Sequence, residues 1–214
     1  MKLCMIGTGY VGLVSGTCFA DIGNQVYCVD KDKNKIDKLN SGVSPIYEPG
    51  LDELIKKNYD ANRLIFTTDI KKAINASDLI FICVGTPTKK GSLKVDLSFV
   101  YKCVKEVLKH TKKKKIIITK STVPVGTGAE IEKIIKKKKK LFSVISNPEF
   151  LREGEAIRDF RYPDRIVIGS DSQSELKRMR KLYSPLISKG AKFFTTSRKG
   201  AELIKYAANA FLAP

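Results

Sequence analysis

Gly7-Thr8-Gly9-Tyr10-Val11-Gly12 directly follows a strand-like run, Lys2–Ile6, and opens a helical pattern over Val11–Ile22. A G-x-G-x-x-G in that setting leaves few folds open, because each glycine has a physical task. Gly7 permits the tight turn, Gly9 lets backbone amides approach a pyrophosphate, and Gly12 lets the helix pack closely on the strand. Tyr10 stands in the turn and Val11 begins the helix, whose N-terminus offers partial positive charge to a phosphate. The next run, Gln25–Asp30, ends in a carboxylate 18 residues after Gly12. An acid there accepts hydrogen bonds from adenosine ribose hydroxyls and repels a 2′-phosphate, which selects NAD over NADP.

The alternation continues along the chain. Further strands are expected over Leu64–Thr68, Leu79–Val84, Ile116–Thr119, Phe142–Ser146, Arg165–Gly169 and Lys192–Thr195. Helices are expected over Lys33–Leu39, Leu51–Asn58, Ile70–Ala76, Leu97–His110, Gly126–Lys137, Ser174–Leu186 and Lys199–Leu212, with a Pro- and Gly-containing loop over Gly42–Gly50. Strands alternating with helices predict an α/β fold, a doubly wound Rossmann-like parallel sheet. Residues 1–197 read as one NAD-binding domain, and 198–214 as the start of a central linker helix with Leu203, Ile204, Ala207 and Phe211 on one apolar face. The chain stops three residues after Phe211 with nothing to end a helix, which predicts a chain cut inside that element.

Composition excludes several classes. Hydrophobic residues make up 43% of the 214, enough for a sizeable core and too many for a disordered chain. The longest apolar run, Leu79–Val84, has six residues, against the roughly 18 that span a bilayer, so no membrane partner is expected. Four glycines interrupt the first twenty residues and another strand follows them, which argues against a secretory leader and for a cytoplasmic protein. The five cysteines, Cys4, Cys18, Cys28, Cys83 and Cys103, are odd in number and show no CxxC spacing, so neither a disulfide framework nor a metal site is expected. The net charge of +18 invites nucleic acid, yet only eight of the 40 basic residues are Arg. The lysine runs Lys112–Lys115 and Lys136–Lys140 carry no interleaved aromatics and read as solvated helix ends, with no specific nucleic-acid partner.

Two more turns fall at expected C-terminal strand ends, where open α/β sheets bind ligands. They are Val84-Gly85-Thr86-Pro87-Thr88 and Lys120-Ser121-Thr122-Val123-Pro124-Val125-Gly126. Their hydroxyls suit a cofactor or an ordered water, and equally an ordinary Thr-Pro loop. Asn147-Pro148-Glu149-Phe150-Leu151-Arg152-Glu153-Gly154 follows another strand, and its two carboxylates with Arg152 between them fit either a site or a solvated helical face. Lys205 and Asn209, four apart on the last helix, read locally as surface residues.

Met5–Leu13, Val84–Pro87, Lys120–Gly126, Asn147–Gly154 and Glu202-Lys205-Asn209, taken together, resemble the nucleotide-sugar 6-dehydrogenase family. Pro163–Gly169, with Asp164-Arg165, is similar to its UDP-glucose branch, and UDP-glucose is the substrate so implied. The resemblance implies a four-electron oxidation of the sugar C6 alcohol to a carboxylate with two NAD+, through a thiohemiacetal and a thioester on a cysteine. It places Val11, Asp30, Lys35, Thr86, Thr122 and Glu153 on NAD contacts, and Glu149 to Glu153 with Lys205 and Asn209 on sugar-nucleotide contacts. Lys205 would stabilise an oxyanion at C6, Asn209 would fix that oxygen or a water, Thr122 would hold a proton-relaying water, and Glu149 would activate water against the thioester. The family's nucleophilic cysteine lies in a Gly-rich motif beyond Lys205, which none of the five cysteines matches, so this chain by itself is expected to be inactive. A UDP-binding second domain and a homodimer are the further implications. The alternatives are a GDP-mannose or UDP-N-acetylmannosamine 6-dehydrogenase, or a non-catalytic basic nucleotide-binding module.

Overall fold

The structure, a computed structural model, describes residues 1–89 and 91–212. Its elements run β1 (Lys2–Ile6), α1 (Tyr10–Asp21), β2 (Gln25–Val29), α2 (Lys33–Asn40), α3 (Leu51–Asp60), β3 (Leu64–Thr67), α4 (Ile70–Ala76), β4 (Leu79–Ile82), α5 (Ser98–His110) and β5 (Lys115–Thr119). There follow α6 (Thr127–Ile135), β6 (Phe142–Ser146), α7 (Ala156–Arg161), β7 (Arg165–Gly169), α8 (Gln173–Leu182), α9 (Ser184–Ile187), β8 (Lys192–Thr196) and α10 (Arg198–Leu212). The strands form one sheet in the order β3-β2-β1-β4-β5-β6-β7-β8.

Both faces of this sheet are covered, which is why its central strands are continuous apolar runs. Successive residues enter opposite layers. Leu3, Met5, Phe81 and Ile118 pack in the layer of α1, α3, α7 and α8, whereas Cys4, Ile6, Ile80 and Ile117 pack in the layer of α4, α5 and α6. The strands β1 to β6 are parallel, as the alternation predicts. The last two depart from it: β7 meets β6 antiparallel through a single pair, Ser146 with Gly169, and β8 runs parallel to β7.

Four local expectations are corrected. The helix α7 was not expected; it is only six residues long, too short for a periodic signal, and buries Ala156, Ile157 and Phe160. The helix expected over Ser174–Leu186 divides at buried Tyr183, after which Pro185 restarts a short helix. The helix expected over Gly126–Lys137 ends at Ile135 in a 3-10 turn. Lys115 is not part of a solvated run: it is buried at the start of β5, where its ammonium donates to the Ser77 and Asn75 carbonyls and burial lowers its pKa. The last helix begins at Arg198 and is described to Leu212; residues 213 and 214 lie outside the described residues.

Register brings the loops that matter to one edge. Ile6 pairs with both Val29 and Ile82, Ile82 with Thr119, and Thr119 with Ser146. The ladder continues one residue further through the Gly7, Cys83, Lys120 and Asn147 amides, which donate to Val29, Ile6, Ile82 and Thr119 at 2.8–3.0 Å. The turns after β1, β4, β5 and β6 therefore leave the sheet side by side.

Candidate functional site

At the β1–α1 turn Gly7 has φ +104°, a region L side chains rarely adopt. A Cβ on Gly12 would lie 1.9 Å from the Gly7 carbonyl oxygen, so only glycine lets α1 start against β1. Gly9 differs: a Cβ there meets nothing within 4 Å. Protein packing does not demand a glycine at that position, whereas a ligand approaching the backbone does. The α1 N-terminus also lacks a side-chain cap, as α3, α5 and α8 do, but it alone of these begins beside the open Gly9 and Asp30. The first amides of α1 are thus left for an anion.

Asp30 follows β2, next to this turn. Its Oδ2 accepts from the Thr8 amide at 3.0 Å, the Thr8 hydroxyl at 2.8 Å and Lys35 Nζ at 3.3 Å, and its Oδ1 from the Asp32 amide at 3.1 Å. Burial raises the Asp30 carboxyl, but the Thr8 and Asp32 donors with Lys35 outweigh it and hold it below the usual carboxylate range. The acid expected to serve only a ribose therefore also ties Thr8 and Lys35 into the turn. The sparsely used Oδ1 retains acceptor capacity for a hydroxyl.

Thr86 and Thr122 come together on the adjacent turns: the Thr86 hydroxyl donates to the Thr122 carbonyl at 2.8 Å. Ser121 ties the same turns through the Ile82 and Val84 carbonyls. Beyond them a cavity of about 850 Å³ is lined by Glu149, Phe150, Leu151, Arg152, Lys205 and Asn209 among others. Glu153 and Thr122 do not line it. Glu153 is exposed, close enough to Tyr10 to contribute to raising its pKa, behind burial and the Glu48 hydrogen bond.

The cavity wall holds an ion pair. Lys205 Nζ lies 3.1 Å from Glu149 Oε1, both side chains being about nine-tenths buried, and the Leu151 amide donates to Glu149 Oε2 at 2.6 Å. The Asn147–Gly154 segment is not a helical face, and its acids are separated into a buried Glu149 and an exposed Glu153. Lys205 and Arg165 both lie over the Phe150 ring, at 5.3 and 4.4 Å. Lys120, buried beside Glu149 and Lys205, also lines the cavity, and burial pushes its ammonium pKa down. The Arg152 guanidinium is committed to Asp159, with bonds of 2.7 and 3.0 Å, and holds the segment onto α7. Asn147 is fixed by the Val167 carbonyl and the Tyr183 hydroxyl.

On the last helix Lys205, read locally as a surface residue, is buried, whereas Asn209 is exposed as that reading has it. The buried residues of α10 are Ala201, Glu202 and Lys205, while Leu203, Ile204, Phe211 and Leu212 are exposed. The inward partners are polar, so polar side chains turn inward. Glu202, 2% exposed, caps α6 by accepting from the Gly126 and Gly128 amides at 2.6 and 2.7 Å. Lys205, one turn later, meets Glu149. Glu202 and Lys120 stand in the motifs that carry the resemblance but receive no chemical task from it, and Glu48 is in none of them; the partners of Glu202 and Glu48 lie tens of residues away, where no local pattern signals them.

No free thiol lines the cavity. Burial pushes Cys83 and Cys18 up to about 12 and Cys103 to about 11, far from a reactive thiolate. Among the described residues no His, Cys, Asp and Glu cluster suits a metal ion, and no helix is long and apolar enough to cross a membrane.

The profile of the UDP-glucose/GDP-mannose dehydrogenase family, NAD binding domain, matches residues 1–187. A UDP-glucose 6-dehydrogenase of Rhizobium meliloti (strain 1021) is 52% identical over 217 residues, covering 100% of this chain and 50% of the relative. Among solved structures, a UDP-glucose dehydrogenase from the hyperthermophilic archaeon Pyrobaculum islandicum superposes with TM-score 0.92 at 36% identity, over 98% of this chain and 49% of that one. A GDP-mannose dehydrogenase from Pseudomonas aeruginosa gives TM-score 0.92 at 35% identity, over 99% and 50%. The chain spans about half the length of the curated relatives it matches.

Proposed function

The chain belongs to the UDP-glucose/GDP-mannose dehydrogenase family and matches its NAD binding domain, and from that we propose that it serves the NAD+-dependent oxidation of UDP-glucose to UDP-glucuronate. The observation that carries the reading is the shared edge: an uncapped, glycine-lined helix start for a dinucleotide stands beside a cavity built on a buried Glu149–Lys205 pair. The UDP-glucose assignment draws on the 52% identical relative and on Arg165 of the Asp164-Arg165 step, which stacks on Phe150 in the cavity. The fold itself does not choose between sugar nucleotides, since UDP-glucose and GDP-mannose enzymes superpose equally well.

The open space at Gly9 and the free α1 amides fit a dinucleotide diphosphate, and Asp30 fits its ribose. Gly7, Gly9, Tyr10, Val11, Gly12, Asp30 and Lys35 would hold the NAD+, with Thr86, Thr122 and Glu153 beside it. Bound NAD+ supplies a hydride acceptor. Lys205 offers its ammonium to the substrate oxygen as that oxygen gains negative charge, in a site where low dielectric strengthens the attraction. Glu149 neutralises Lys205 until then and, when displaced, takes a proton from water on a carboxylate oxygen. Asn209, one turn beyond Lys205 and lining the cavity, orients the same oxygen; Thr122, which lies outside the cavity lining on the turn tied to Thr86, serves the dinucleotide side. Phe150 and Leu151 form the apolar wall, and Arg152 keeps the segment shaped through Asp159. The nucleophilic step falls to none of the five cysteines of this chain. Leu203 and Ile204, exposed and outside the cavity lining, support a second copy packing on α10.

The test offers UDP-glucose, GDP-mannose and UDP-N-acetylmannosamine in turn, with NAD+, to the natural gene product. NADH from UDP-glucose at two per sugar is expected; NADH from another sugar nucleotide alone refutes the substrate assignment.

A further inference from the structure

Glu48 belongs to neither the glycine turn nor the cavity lining, yet it touches the first residue of α1 and the end of the segment whose earlier residues line the cavity. It lies in the loop between α2 and α3 and is 6% exposed. Its Oε2 accepts from the Tyr10 hydroxyl and from the Gly154 amide at 2.9 Å, and its Oε1 from the Ile157 amide at 3.2 Å. The phenol donates to the carboxylate, and its oxygen shares the one Gly154 N–H with Glu48 Oε2, each at 2.9 Å. Three segments thereby converge on one acid: the first residue of α1, the end of Asn147–Gly154, and α7.

Burying a carboxylate is costly unless every lone pair is used, and holding α7 on α1 does not require it. That job is done elsewhere, by Arg161 on Asp21 at 2.9 Å and by Phe160 edge-on to Phe19 at 4.9 Å. What Glu48 adds is a grip on the start of α1, at the residue that opens the helix facing the dinucleotide, joined to the last residue of the segment that carries Glu149.

We propose that Glu48 is a positioning residue that couples the two parts of the site, by holding Tyr10 and Gly154 on one carboxylate so that dinucleotide binding orders the Asn147–Gly154 segment. This rests on the dinucleotide and sugar-nucleotide reading given above. By linkage, a ligand that orders the segment tightens dinucleotide binding by the same factor.

The experiment titrates NAD+ into the 214-residue chain and follows amide exchange at Gly154 and Ile157 in the wild type, Glu48→Gln and Tyr10→Phe. Glutamine keeps the shape but turns an NH2 toward one of the two amide donors. In the wild type NAD+ slows exchange at both amides by about tenfold or more. In Glu48→Gln those amides do not respond, and NAD+ binds about tenfold more weakly; Tyr10→Phe weakens it about threefold, and the double variant is no weaker than Glu48→Gln because the groups act as one unit. An acid with a purely structural role lowers the melting temperature and leaves the NAD+ response of the two amides intact. That result, or wild-type NAD+ affinity in both variants, overturns the coupling. If Glu48→Gln does not fold, Tyr10→Phe decides on the same two amides. A wild-type chain that binds no NAD+ overturns the coupling together with the cofactor reading, whereas NAD+ binding with silent amides overturns the coupling alone.

Discussion

At the β1–α1 turn the working parts come from one stretch of chain: Gly7, Gly9, Gly12, Asp30 and Lys35 lie within 29 residues, and backbone amides do most of the holding. At the cavity they come from four stretches, and buried charged side chains do the holding: Lys205 reaches Glu149, and Glu202 caps α6 at Gly126 and Gly128. A turn made of backbone is fixed by conformation and, at Gly7 and Gly12, leaves no room for an added atom. A charge pair is fixed by its partner and fails when left alone. The two regions should therefore break in different ways.

The largest effect is expected at the turn. Gly12→Ala places a Cβ 1.9 Å from the Gly7 oxygen, and because backbone cannot yield there, a loss of about 4 kcal/mol is expected, read by urea denaturation. A change under 1 kcal/mol would mean that the turn is pliable and the contrast mistaken. At the cavity, Lys205→Met leaves Glu149 buried without its cation, for a loss of about 3 kcal/mol. Adding Glu149→Gln to it should recover most of that loss; if the two losses simply add, the pair is not a unit.

Asp30→Ala separates stability from binding. It should weaken NAD+ by about 1–2 kcal/mol in calorimetric titration, because it removes the proposed ribose acceptor and releases Thr8. The smallest effect concerns Asp21, which pins α3 and α7 to α1 through Lys57 and Arg161. Burial pushes its carboxyl up, but Lys57, Arg161 and Asn58 outweigh that and hold it below the usual range. A depressed folded pKa stabilises above the unfolded value, near 4, and that stability is lost as pH falls through the folded one. Asp21→Asn should therefore lower stability at neutral pH by at most about 1 kcal/mol, given solvent screening, and the loss should shrink as pH falls through the folded pKa. A loss that persists in acid would point to packing instead.

The same contrast explains what could be read from residues alone. The glycine turn, Asp30 and the parallel strands β1 to β6 follow from contiguous patterns, and the structure has them where the periodicity predicts. The inward side of α10 does not follow: its hydrophobic stripe points outward, because the neighbouring surface offers the Gly126 and Gly128 amides and the Glu149 carboxylate rather than apolar side chains. No spacing rule contains that information, since it depends on what β6 and α6 present. Glu48 escaped for the same reason, with partners 38 and 106 residues away. Lys205 and Asn209 gained their meaning only through family resemblance.

The decisive measurement is the amide spectrum of the 15N-labelled chain titrated with NAD+ and, separately, with NADP+. The account predicts saturable shifts at Gly7, Gly9, Val11, Gly12 and Asp30 with NAD+, and markedly weaker binding of NADP+. Amides in that turn that stay still while NAD+ is added, or equal affinity for the two dinucleotides, would contradict it.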